Sequence, residues 1–438
     1  MGTMFAGIVW FAVYVIGLLL PMIAAVLFHP SDVVRPFLPT LGIAFGFLAY
    51  PLMICEFGLV GRIRSISVLY GNDVLVYFHK YMGLAALLFV VIHGVLASHG
   101  DLAYFNPFSG ASMTRYGAGS FWLLLALALT SLYRRQIRLP YASWMTSHYA
   151  LALAIVALGL THVLAVRGFS SSGVVRAVMI TYFIGFLVPV FRYRVWEYFR
   201  MLATPWEVIQ NRDEGGRVYT LVAKPVGHPG FEFDPGQFVW LATGPPITAE
   251  QHPISISSSA ELGPDRRIEL SIRSLGDWSG KRVPKVSAGS SVYVNGPFGG
   301  MSTDREPGQG FVLIAGGIGI TPLRSIILTM KDRGDLRPVL LLYAANTIDD
   351  MVYRQELEAL QQKMNLKLVL VLMEPPAGWT GERGNIDAAL LRRYLPAQFM
   401  RFQYFICGPE RMMDAMEEYL VALGIPRSRV HSERFDVV

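Results

Sequence analysis

Apolar positions follow two patterns along the chain. Up to about residue 192 they form near-continuous runs of the length that crosses a hydrocarbon core, about 20 residues. Six such runs cover residues 5 to 28, 37 to 60, 76 to 98, 117 to 134, 140 to 166 and 174 to 192, the last being the least apolar. They predict a six-helix membrane domain over residues 1–196. The run from Phe5 to Phe28 has no basic stretch before it and no small-residue cleavage pattern, and it exceeds a signal-peptide core. It is expected to be a retained first span.

After Arg194 the pattern changes to short alternating runs broken by Pro and Gly. Val218–Ala223, Phe238–Ala242, Ile268–Ile272 and Ser291–Val294 predict an antiparallel β-barrel over residues 197–304. Beyond it, Phe311–Ala315, Val339–Tyr343, Leu366–Leu372 and Tyr404–Cys407 are apolar strands separated by helical patterns such as Asp350–Met364 and Glu410–Leu423. That alternation predicts an α/β domain with a parallel sheet over residues 305–438. There is no solenoid repeat and no low-complexity tract.

Composition agrees with a membrane protein: 53% of the 438 residues are hydrophobic and only 16% charged. The net charge of +6 arises in the first 195 residues, where twelve Lys/Arg face four Asp/Glu. The second half has no basic stripe, which argues against a nucleic-acid partner. Arg62, Arg64, Lys80, Arg134, Arg135, Arg138, Arg192 and Arg194 flank the spans on one side, against Arg35, Arg115, Arg167 and Arg176 on the other. By the positive-inside rule both termini are cytoplasmic. Only Cys55 and Cys407 are present, which excludes a disulfide framework, a C-x-x-C-H haem attachment and a four-cysteine cluster.

Four of the nine histidines fall in the spans, His79 and His93 on the third, His148 and His162 on the fifth, each pair fourteen residues apart. Fourteen helical steps return to within about 40° of the starting direction and advance roughly 21 Å. The two spans run the same way, so His79 is level with His148 and His93 with His162. Histidines satisfied by helix contacts are the ordinary alternative. A duplicated spacing at matched depth favours two bis-imidazole haems, one above the other. His29 and His99 mark the outward boundary.

The second half carries motifs in a fixed order. Pro235-Gly236-Gln237-Phe238 leads a strand, followed by His252-Pro253-Ile254-Ser255, Ile272-Arg273, Gly276-Asp277-Trp278-Ser279 and Gly296-Pro297-Phe298-Gly299. A flavin dinucleotide needs a flat apolar slot, a hydroxyl or amide at the ring and a cation for the pyrophosphate; Ser255 and Arg273 offer the last two. Gly316-Gly317-Ile318-Gly319-Ile320-Thr321-Pro322 stands at a strand-to-helix junction, where backbone N–H groups receive a phosphate. Cys407-Gly408-Pro409 follows a second strand, and Phe435 near the end can cover a flavin ring, a packed terminal aromatic being the ordinary reading.

Together these residues resemble the membrane NADPH oxidase and ferric reductase superfamily over nearly the whole chain. The resemblance implies an inner haem b held by His79 and His148 and an outer one by His93 and His162. It implies FAD held by Gln237, His252, Pro253, Ile254, Ser255, Arg273, Trp278 and Ser279, and NADPH or NADH phosphates held by Gly317, Gly319, Thr321 and Pro322. Cys407, Gly408 and Pro409 would border the nicotinamide and Phe435 would stack on the flavin, with Ser255, Cys407 and Phe435 nearest the chemistry. Ile254 stands where the family places an aromatic. Ala344, Ala345 and Asn346 follow Tyr343 where NADPH-selective members present an Arg, and Asp436, Val437 and Val438 extend past the terminal aromatic. The implied activity is electron transfer from NAD(P)H across a bacterial plasma membrane to O2, giving superoxide. A ferric chelate as acceptor, or a periplasmic partner protein served by an electron-relay subunit, are the alternatives. Arg115, Tyr116, Arg167 and His99 are the outward residues for an acceptor, and no obligatory protein partner is expected.

Overall fold

A computed structural model describes residues 2–28, 36–59, 66, 70, 72–108, 112–166, 168–246 and 250–434. His29, Arg35, Arg62, Arg64, Arg167, Phe435 and the three residues after it lie outside these, as does the side chain of Arg194. Two compact units divide the chain near residue 197.

The first unit holds α1 (Gly2–Phe28), α2 (Phe37–Leu59), α3 (Asn72–Ala97), α4 (Ser112–Leu132), α5 (Tyr141–Ala165) and α6 (Gly173–Val190). Helices apolar on every side have no water-facing stripe, as expected of rods in lipid. Five helical stretches among the described residues are long and apolar enough to cross a membrane: Phe5–Phe28, Phe37–Phe57, Val74–Ala97, Ser143–Ala165 and Gly173–Ala203. The fourth span expected from sequence falls on α4, which is not one of them; Arg115, Ser120, Thr130 and Ser131 dilute its apolar run. Side chains of Ala25, Phe47, Tyr50, Val156, Met179 and Phe186 form the unit's core. Polar groups also tie helices together, since a free hydroxyl in hydrocarbon is costly. Ser120 Oγ donates to the Ile155 carbonyl at 3.1 Å, and Tyr182 Oη to the Gly17 carbonyl at 2.5 Å.

The main stretch of the second unit begins at Tyr198, at the start of a short helix, α7 (Glu197–Ala203), and contains two six-stranded sheets. The first is antiparallel: β1 (Pro205–Asp213), β2 (Val218–Pro225), β3 (Phe238–Ala242), β4 (His252–Ser255), β5 (Ile268–Arg273) and β6 (Ser291–Phe298), in the order β4-β3-β6-β1-β2-β5. Its edge strands meet at one point, where Ile256 bridges Leu270 and the Ser257 N–H donates to the Glu269 carbonyl. Val208, Leu221, Leu241, Leu270 and Val294 lie in its core.

The second sheet is built from β7 (Phe311–Gly316), β8 (Val339–Ala345), β9 (Leu366–Leu372), β10 (Glu382–Arg383), β11 (Gln403–Cys407) and β12 (Val430–Ser432). All its pairings are parallel, in the order β10-β9-β8-β7-β11-β12. Burial on both faces explains why its strands read as continuous apolar runs. Phe311, Leu313 and Ala315 face one core with Ile320, Leu323 and Ile327 of α8 (Ile320–Asp332), whose range also contributes Ile326. Val312 and Ile314 face the other, with residues of α10 (Ala388–Tyr394) and α11 (Glu410–Ala422). The helix expected over Asp350–Met364 is shorter, α9 being Arg354–Leu360. Asp350 is held by the Thr347 hydroxyl, and Tyr353 adopts a left-handed φ of 63°, so the helix starts only after it.

Candidate functional site

In the membrane unit α3 and α5 bring the four histidines together as the spacing requires. The rings of His79 and His148 have centroids 6.1 Å apart, and those of His93 and His162 are 6.0 Å apart. Two imidazoles on opposite sides of one metal, at about 2.0 Å per bond, place their ring centres about 6 Å apart. Among the described residues no group of three or more His, Cys, Asp or Glu could hold a metal ion.

Polar groups lie beside Nδ1 of three of the rings. His79 Nδ1 is 2.8 Å from Glu56 Oε2, His93 Nδ1 is 2.9 Å from the Gly42 carbonyl, and His148 Nδ1 is 3.2 Å from Ser131 Oγ. Such outer contacts orient a ligating ring and fix its tautomer. Glycines make room for the outer pair. A Cβ at Gly46 would stand 2.8 Å from His93 Nδ1, and one at Gly117 would stand 2.9 Å from His162 Nδ1. Trp144 packs at 5.3 Å from His148, with Arg134 over its other neighbours at 5.1 Å from Tyr141 and 5.2 Å from Trp144 itself. Glu56, Ser131 and Trp144 were not singled out by sequence reasoning. The signal for Glu56 was present, since it is the only Asp or Glu within the six apolar runs.

The antiparallel sheet collects the flavin motifs on adjoining strands. Pro253, Ile254 and Ser255 pair with Trp240, Val239 and Phe238, placing Ser255, which is buried, at the end of β4. His252 stacks on Trp278 with centroids 3.8 Å apart, while Trp278 Nε1 donates to Thr243 Oγ1 at 3.1 Å. Burial pushes the His252 pKa below its usual value, so the ring presents a neutral face. Two residues serve the loops themselves. Gln237 accepts from the Asp234 N–H and donates to the Gly299 carbonyl, and Ser279 Oγ accepts from the N–H groups of Leu275 and Gly276.

Arg273 links this sheet to the next. Its guanidinium contacts Asp350 at 2.8 Å and lies 3.0 Å from where a Cβ of Gly317 would stand. The glycine turn after β7 and the Cys407-Gly408-Pro409 turn after β11 straddle the point where the strand order reverses, the usual crevice for a nucleotide. The two turns touch backbone to backbone. A Cβ on Gly319 would fall 2.1 Å from the Cys407 carbonyl oxygen, so no other residue fits. Thr321 is buried and donates to the Ile318 carbonyl at 3.0 Å, capping the turn, and Pro322 is buried in α8. Phe435 lies outside the described residues. Of the outward candidates, His99 and Arg115 are exposed, as is Tyr116.

Residues 45–159 match the family described as ferric reductase like transmembrane component, and residues 313–418 match the oxidoreductase NAD-binding domain. The chain fits the ferric reductase and NADPH oxidase-like superfamily. Among curated relatives of this chain is the reductase subunit of stachydrine N-demethylase from Rhizobium meliloti. It is 28% identical over 240 residues, which are 53% of this chain and 67% of the relative. The reductase component of propane 2-monooxygenase from Rhodococcus jostii is 29% identical over 226 residues, 50% of this chain and 60% of that protein. The chain thus spans about two thirds or less of the length of these two relatives. A cytochrome P450 reductase from Amycolatopsis is among the similar solved structures, with a TM-score of 0.46 and 23% identity over 53% of this chain and 69% of that one.

Proposed function

We propose that the chain carries electrons from NAD(P)H through FAD and two b-type haems across a plasma membrane to an acceptor on the far side, with O2 as that acceptor and superoxide as product. The observation that carries this reading is the duplicated histidine pair, 6.1 Å and 6.0 Å between rings. When bound, FAD would accept a hydride and release electrons singly, and the haems would relay them.

Within this reading the chain has three domains, residues 1–196, 197–304 and 305–438, the middle one a barrel closed at Ile256 and Leu270. Six spans cross the membrane with both termini on the cytosolic side, where Lys80, Arg134, Arg135, Arg138 and Arg192 lie. His79 and His148 hold the inner haem, His93 and His162 the outer. The stacked His252 and Trp278, with Pro253, Ile254 and Ser255, form the flavin slot, and Ser255 offers its hydroxyl to the ring. Arg273 faces the pyrophosphate, which competes with Asp350 for the guanidinium. The Gly317–Pro322 turn receives the nicotinamide dinucleotide's phosphates, with Cys407 and Gly408 bordering its ring.

With an imidazole pair at each site, a bound haem iron would have no open position, so an acceptor would have to be reduced at the haem edge. The match to a ferric reductase like component favours one second reading, a ferric chelate as acceptor. Purified chain reduced by NADH or NADPH under argon and then exposed to air separates the two. The proposal expects rapid reoxidation and cytochrome c reduction that superoxide dismutase suppresses. Insensitivity to oxygen, with ferric-chelate reduction intact, supports the second reading instead.

A further inference from the structure

Glu56 sits inside α2, 4% exposed, in a unit whose core is mostly apolar. An acid there is costly unless its oxygens are matched. Oε1 accepts from Tyr14 Oη of α1 at 3.3 Å, and Oε2 lies 2.8 Å from His79 Nδ1, its nearest polar neighbour there. The outer pair is built differently. His93 Nδ1 faces the neutral carbonyl of Gly42 at 2.9 Å, and His148, opposite His79, faces the Ser131 hydroxyl. Of these three imidazoles only His79 has a carboxyl group beside its Nδ1.

We infer that Glu56 is a positioning residue that sets the inner haem's potential below the outer one's, by accepting the Nδ1–H of His79 and strengthening that imidazole as a ligand. This rests on the proposed function. A hydrogen bond to a carboxylate raises the basicity of the ring's other nitrogen. A stronger donor stabilises the ferric iron more than the ferrous. Reduction here is the gain of one electron by iron, with no bond made or broken at Glu56 or His79. A lower potential inside than outside makes the outward step downhill.

The test is spectroelectrochemical titration of the purified full-length chain, with the inner haem assigned by repeating it in His93→Ala. Glu56→Gln is expected to raise the inner midpoint by at least the equivalent of a tenfold change in the reduction equilibrium, about 59 mV for one electron, while the outer midpoint stays in place. Tyr14→Phe frees Glu56 from a competing donor and is expected to lower the same midpoint. If Glu56→Gln does not retain haem, the sign of the Tyr14→Phe shift decides. An unmoved inner midpoint, or both midpoints moving together, overturns the inference. Absence of haem from the unmodified chain overturns the proposed function instead.

Discussion

His431 stacks on Phe405 with centroids 5.0 Å apart and lies 3.1 Å from Gln403 Oε1, and burial pushes its pKa down to about 4. An unfolded histidine titrates near 6.5. Between those values the unfolded chain holds more protons than the folded one, so stability falls as pH falls through that window and is fully present above it. The contribution is roughly 3 kcal/mol. Hydrogen exchange in β11, corrected for intrinsic rates, is expected to accelerate between pH 6.5 and 4.5, and His431→Gln to flatten that dependence; an unchanged slope contradicts the assignment. At this scale the sequence was informative wherever chemistry repeats at a fixed interval. The fourteen-residue spacing on α3 and α5 reveals the ring pairs because a helix converts sequence separation into angle and height. Nothing comparable marks what lies beside a ring. That Glu56 of α2 faces His79 of α3 depends on how two helices pack, and the roles of Gln237 and Ser279 within their own loops follow from turn geometry.

Arg324 of α8 shows how elements of the second unit are joined. It is buried, donates through Nε and Nη2 to Glu356 of α9 at 2.7 and 3.0 Å, and through Nη1 to Glu269 of β5 at 2.8 Å. Its guanidinium also lies 4.3 Å from the Tyr353 ring centre. Burial raises the Glu269 pKa, but Arg324 and Arg212 outweigh it and hold the carboxyl below its usual range. Removing one partner of a buried ion pair costs about 3–5 kcal/mol, because the other is left uncompensated. Arg324→Met is therefore expected to destabilise the second unit by about 3 kcal/mol, with Arg324→Met/Glu356→Leu recovering part of the loss. Thermal unfolding that shifts by less than the equivalent of about 1 kcal/mol contradicts this account. The parallel strands were legible because burial on both faces leaves an unbroken apolar run. β1 was not, since only Trp206 and Val208 among its first residues are buried and polar residues follow. The late start of the helix expected over Asp350–Met364 goes with Tyr353 Oη reaching Thr220 and Ser271, a tertiary contact no local pattern reports.

The whole molecule joins an apolar helical unit to a two-sheet unit, and the division was visible as a change from unbroken apolar runs to alternation near Arg194. Span count was less legible, because α4 mixes Arg115 and several hydroxyl and glycine positions into an otherwise apolar stretch. The account depends on the histidine pairs acting as haem ligands, and haem content per chain reads this directly. Full-length protein purified in detergent is expected to carry two haems. His79→Ala or His148→Ala should remove the inner one, and His93→Ala or His162→Ala the outer. Haem content unchanged by all four substitutions would contradict the account.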